Sequence, residues 1–150
     1  MAKFKYKLQS VLDIKEKLER QEKIAYGLAT AKVLEEQEKL HRLMLQKAEY
    51  DKRARDLVKG DIDLLEIKSC RNAVDTMKAR IRGQMIELHR AQKQQEIARQ
   101  RLNNVMIERK TYEKLREKKM DDFKQELLLE EKKEIDELVS YTYNQEEEEA

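Results

Sequence analysis

Two histidines, His41 and His89, and one cysteine, Cys70, are the side chains best equipped for metal, acid–base or nucleophilic chemistry in this 150-residue chain. Neither histidine has a second histidine, a cysteine or an ordered carboxylate cluster at ligand spacing, so both are expected at the surface or the edge of a packing seam. Cys70 has no histidine and no oxyanion-forming glycines around it, which argues against a catalytic nucleophile. As the single cysteine it cannot form an internal disulfide, which fits a reducing compartment, the cytosol. The three glycines, Gly27, Gly60 and Gly83, stand too far apart to cradle a phosphate. Carboxylates abound, but tuning one for catalysis takes walls that exclude water. The lysines near the start (Lys3, Lys5, Lys7, Lys15, Lys17) are diluted by acids from Asp13 onward and read as a solvated helix end. No enzymatic reaction, metal, cofactor or nucleic acid is therefore expected.

The elements that carry these residues follow from composition. Charged residues make up 43% and aromatics 5%, with no proline and no tryptophan, so an ordinary globular core is out of reach. Strong helix formers fill the chain. Basic and acidic residues, 33 against 31, alternate in sign along most of it, as on a solvated helix surface laced with ion pairs. The first residues hold no apolar run of signal-peptide type. No window approaches the twenty apolar residues of a membrane span, so direct membrane insertion is not expected.

Between Val74 and Tyr112, steps of three and four pick out Val74, Met77, Ile81, Gln84, Leu88, Ala91, Gln95, Ala98, Leu102, Val105, Arg109 and Tyr112. Nine of these twelve are apolar. A 3.5-residue repeat held this long marks a helix packed along another helix. Phe4, Leu8, Val11, Leu18 and Ala25 follow the same rule, with Lys15 and Glu22 between them. A second run continues from Tyr26 and Ala29 through Val33, Glu36, Leu40, Leu43, Lys47, Tyr50, Ala54 and Leu57. The two runs differ in frame, which predicts a stutter between Leu18 and Ala29, beside Gly27. Polar residues at seam positions (Gln84, Gln95, Arg109, Glu36, Lys47) either fix register or are merely tolerated.

The seam breaks at Val58-Lys59-Gly60-Asp61. Gly60 sits where a left-handed glycine ends a helix. Asp63 with Glu66 forms an acidic capping box, and Ile62 with Ile67 a hydrophobic staple. The fold class is all-α: a long antiparallel two-helix coiled-coil hairpin in a single domain over 1–150. The first helix is expected over about 3–58, the turn over 59–63 and the second helix over about 64–139. An acidic tail over 144–150 is expected to be disordered. Pairing outward from the turn sets Tyr50 near Val74 to Met77, and Phe4 near Met120 and Phe123. The second helix then overhangs, and Leu127, Leu128, Leu129, Ile135, Leu138 and Val139 leave an apolar stripe for docking.

Two segments at opposite ends resemble the flagellar FliJ proteins. One is Phe4-x-Tyr6-x-Leu8-x-x-Val11-Leu12 with Lys15 and Glu19. The other is Glu108-Arg109-Lys110-x-x-Glu113-Lys114-Leu115-Arg116-Glu117, then Phe123, then Glu131-Lys132-Lys133-x-Ile135-Asp136-Glu137-Leu138. The resemblance implies a cytoplasmic component of the flagellar type III export apparatus, similar in fold to the central-stalk coil of rotary ATPases. It implies binding in the pore of the hexameric export ATPase through the hairpin base: Phe4, Leu8, Val11, Leu115, Phe123, Leu127, Ile135 and Leu138. It implies promotion of ring assembly and activity, a link to the FlhA-type export gate, and recruitment of export chaperones. The gate and chaperone patch of that family maps near the turn, to Leu43, Tyr50, Ala73 and Met77. Here Gln46 replaces a tyrosine of that patch and Gln84 a histidine. Such a protein is expected to be monomeric when free and peripheral to the cell membrane at the flagellar base. Its virulence-secretion counterpart, a chaperone escort and a generic self-associating coil are the competing readings.

Overall fold

The computed structural model describes residues 3–149, and two long helices account for nearly all of them: α1, Gln9–Leu57, and α2, Leu64–Glu149. They pack against each other, α2 being the longer, and no strand occurs among the described residues. Contacts divide the chain into two compact units. One joins the residues up to Glu19 with those from Val105 on, and the other is Arg20–Asn104.

In the Arg20–Asn104 unit the helices run antiparallel, because Thr30 meets Gln95 while Glu36 meets Gln84. Val74, Met77, Ile81, Ala91 and Ala98 are buried on α2, with Val33 and Glu36 on α1. Gln84, Leu88, Gln95 and Leu102 are half-buried at the remaining seam steps. The core is one side chain thick, and no large side chain among the described residues is fully enclosed. Most of the stability must therefore come from a long row of modest burials.

The turn belongs to this unit. α1 closes with Val58 N–H donating to Arg55 O (3.4 Å) and Lys59 N–H to Asp56 O (3.2 Å), short-range bonds that satisfy the last carbonyls. Gly60 does not take the expected left-handed conformation, since no glycine among the described residues has positive φ. The tightened last turn does the capping in its place. Asp63 starts α2 as expected: its Oδ1 accepts from Leu65 N–H (3.0 Å) and Glu66 N–H (3.4 Å). Ile62 stays 63% exposed, so it adds little to a staple with Ile67.

In the other unit α1 begins at Gln9, not near Lys3. Residues 3–6 are non-helical, and Gln9 N–H donates to Tyr6 O across a turn. Burial alternates here: Phe4 and Tyr6 are half-buried while Lys3, Lys5 and Lys7 are exposed. Such a period of two is what Lys-Phe-Lys-Tyr-Lys spells, and a helix would have sent Phe4 and Tyr6 to different faces. Both are anchored on α2. The Phe4 and Phe123 ring centroids lie 5.6 Å apart, tilted by 52°, and the Tyr6 hydroxyl donates to Tyr112 O at 3.1 Å. Leu12, 3% exposed, is the best-buried apolar residue, and Glu19 is buried beside Arg109.

The expected stutter on α1 is absent. Buried and half-buried positions step from Leu12 through Lys15, Glu19, Glu22, Tyr26, Ala29 and Val33 by threes and fours, and Ala25 is exposed. Glu19 can hold a seam position because Arg109 neutralises it. The change of frame lies on α2 instead. Past Arg109 the half-buried residues are Tyr112, Glu113, Met120, Phe123 and Leu127, and the eleven residues from Arg109 to Met120 are the spacing of a stutter. α2 also continues to Glu149, beyond the expected Val139 and through the stretch from Asn144 expected to be disordered. Ala150 lies outside the described residues.

Candidate functional site

The eight base residues singled out from the sequence all fall in the unit that joins the chain start to Val105 and beyond. They divide by what they touch. The Phe4 and Phe123 rings pack against each other at a tilt, and Val11 and Leu127 are half-buried. Leu8 and Leu115 are each 40% exposed at its edge. Ile135 (59%) and Leu138 (65%) stand clear of α1 on the far part of α2.

Every described residue of α2 past Leu127 is exposed. Leu128, Leu129, Val139, Tyr141 and Tyr143 are each more than 60% exposed. Ile135 stands seven residues after Leu128, and Leu138 and Val139 stand three and four after Ile135, which puts them on one side of the helix. The two tyrosines were missed at the sequence level, although they extend the apolar content of the segment to its last turns. Glu126, Glu130, Glu134 and Glu137, spaced four, four and three apart, occupy a different side, and this carboxylate row was missed as well.

Charge orders the inner part of the unit. Arg109 reaches Glu113 through Nη1 (2.8 Å), and its Nε lies against the Glu19 carboxylate. The Glu19 carboxylate, then Glu113, raises the Arg109 pKa further. Lys15 Nζ bonds Glu108 Oε2 at 2.7 Å, which raises its own pKa, and Arg116 Nε donates to Gln9 Oε1 at 2.9 Å. The three of these links that cross, Glu19 to Arg109, Lys15 to Glu108 and Gln9 to Arg116, fix where the first part of α1 lies on α2.

The second candidate set, Leu43, Tyr50, Ala73 and Met77, lies in the Arg20–Asn104 unit. Leu43, Tyr50 and Ala73 are half-buried at the seam, and Met77 is buried at 7% exposure. Met77 is thus a core residue, and an incoming partner would meet the edges of the other three. Ala48, Asp51, Val74 and Lys78 line one shallow groove beside the turn, as the expected pairing near Tyr50 requires. Val58, Ile62, Leu64 and Leu65 add exposed apolar surface at the turn itself.

The polar seam residues have partners across the helices. Gln84 Nε2 donates to the Glu36 carboxylate and to Glu36 O (3.1 Å), and Gln95 Nε2 donates to Thr30 Oγ1 (3.1 Å). Lys32 (3.0 Å) and Lys39 (3.4 Å) complete the Glu36 cluster. Together with the Gln84 hydrogen bond they hold the Glu36 carboxyl down to about 2. These pairs act on register; Lys47 does not, since it pairs with Asp51 on its own helix at 3.1 Å.

His41 and His89 are exposed, and Cys70 is a buried free thiol. Among the described residues no group of three or more His, Cys, Asp or Glu is arranged to hold a metal ion. No helix among them is long and apolar enough to cross a membrane.

The family model described as "Flagellar FliJ protein" matches residues 4–148. The chain matches no curated protein and no solved structure.

Proposed function

From the premise that the chain belongs to the flagellar FliJ family, and so is a component of the flagellar export apparatus, we propose that it works as a stalk-like activator of the export ATPase. The far part of α2, past Leu127, enters the pore of the hexameric ATPase ring. It promotes ring assembly and turnover by binding one ring conformation better than another. The chain does no chemistry of its own. The surface beside the turn, around Leu43, Tyr50 and Ala73, meets the FlhA-type export gate and export chaperones. That keeps the protein at the inner face of the cell membrane without inserting into it.

The observation that supports this best is the unpartnered stretch of α2, where Leu128, Ile135, Leu138 and Val139 are about 60% exposed or more. A monomer has no reason to keep a row of large apolar side chains on one helix face unless something covers it. A few such anchors would supply most of the affinity.

A photo-crosslinking residue placed at Leu138 tests the assignment. It should capture the export ATPase, whereas the same residue at the exposed Leu28 should not. Capture from Leu28 alone would move the interface to α1.

A further inference from the structure

The charge of this chain is unevenly placed. Between Glu126 and Glu149 there are ten acidic residues and two lysines, a net charge of −8. The whole chain carries +2, so the remainder carries +10. All of the acidic part but Glu126 and the half-buried Leu127 lies where α2 has no partner. Among its described residues no ion pair offsets the carboxylates.

Spacing arranges the two kinds of surface. Leu128, Ile135, Leu138 and Val139 share one side of the helix. Glu126, Glu130, Glu134 and Glu137 form a row on another, because steps of three and four stay on one face. The carboxylates at 126, 130 and 134 are four apart, and like charges at that spacing weaken a solvated helix. The last turn adds Glu146 to Glu149 at the helix C-terminus, where the backbone dipole already favours cations, and it contains no basic residue. Left in water, this segment carries an uncovered apolar face and charges that oppose its own helix.

We propose that the Glu126–Glu149 segment of α2 is built for a protein socket that encloses it, apolar on one wall and lined with lysine or arginine on the other. This rests on the ATPase reading above and adds to it the chemistry of the receiving surface. A basic wall relieves the repulsion within the carboxylate row, and an apolar wall covers Leu128 to Val139. The same charge sets what the segment avoids. Two copies of the acidic face repel, so the apolar face is kept from pairing with itself. Attraction between an acidic helix and a basic socket speeds association and falls as salt rises.

The test uses the full chain and the purified export ATPase as the probe. The variant combines Glu130→Gln, Glu134→Gln and Glu137→Gln, which keeps size and helix propensity. Removing like charges does not weaken the helix, so circular dichroism should show helicity at or above that of the unaltered chain. Binding is measured at low and at high salt. The unaltered chain should bind faster at low salt, and the variant should associate about tenfold more slowly there with a flatter salt dependence. Equal rates and equal salt dependence for the two chains would overturn the basic-socket proposal while leaving the ATPase reading intact. Failure of the unaltered chain to bind at any salt concentration would overturn the ATPase reading, and the socket proposal with it.

Discussion

Gln84 and Glu36 face each other from opposite helices, with the Gln84 side-chain amide donating to both the Glu36 carboxylate and its main-chain carbonyl, the latter at 3.1 Å. Two polar side chains occupy one seam layer and satisfy each other. A slip of either helix along the other would leave both without partners, so the pair acts on alignment more than on affinity.

The Glu36 carboxyl sets an acid limit on the helix pair. Its folded-state pKa is lowered from 4.5 to about 2, first by the Gln84 hydrogen bond and then by Lys32. A carboxyl depressed on folding contributes stability that is full above about pH 4.5 and is lost as pH falls through about 2. Urea unfolding followed between pH 5 and pH 2 should show this loss. Glu36→Gln should lower stability near neutral pH and flatten the slope. An unchanged slope would mean that Glu36 is not the titrating group.

Arg109 supports a buried carboxylate. Glu19 is 6% exposed and Arg109 lies against it. Arg109→Met takes the guanidinium away from that carboxylate and should cost about 1.5 kcal/mol, the low end for a charged hydrogen bond given the partial exposure of the arginine. The double change Glu19→Leu with Arg109→Met should recover most of that loss, because apolar residues replace both partners. A double variant no more stable than the single one would show that the pair is more than a neutralised seam layer.

The packing frame near the chain start separates two neighbouring leucines. Leu12 is 3% exposed and Leu8 is 40% exposed. Leu12→Ala should cost about 2–3 kcal/mol, and Leu8→Ala about 0.5 kcal/mol or less. Thermal unfolding of the two variants decides it. The reverse order would restore the frame that runs through Leu8, Val11 and Leu18.

Gly60 is replaceable. It has no positive φ, and a Cβ there would meet nothing within 4 Å. Gly60→Ala should raise stability by about 0.4–1 kcal/mol through the unfolded chain. A loss of stability would mean that the turn needs the conformational freedom of glycine.

Much of this architecture was legible in the residues. All twelve seam positions from Val74 to Tyr112 are buried or half-buried, because a 3.5-residue repeat over that distance admits one packing face. The Asp63 cap was readable because its chemistry is local. What escaped was non-local or of the wrong period. Glu19 was not among the seam positions read from the sequence, and its burial goes with Arg109, which lies against it from the other helix. Phe4 and Tyr6 were placed in a helix, although the alternating lysines spelled a period of two. The Gly60 cap failed because short-range backbone bonds at Lys59 had already closed α1. At the candidate site, Ile135 and Leu138 were placed correctly as exposed. Phe4 and Phe123 instead spend their rings on each other, a cost that a list of apolar residues does not show.

If α2 beyond Leu127 is what reaches the ATPase, cutting the chain there removes the contact. A chain ending at Leu127 keeps every buried and half-buried described residue. It should stay helical and lose its stimulation of the hexameric export ATPase. Full stimulation by that shortened chain would place the ATPase contact elsewhere on the protein.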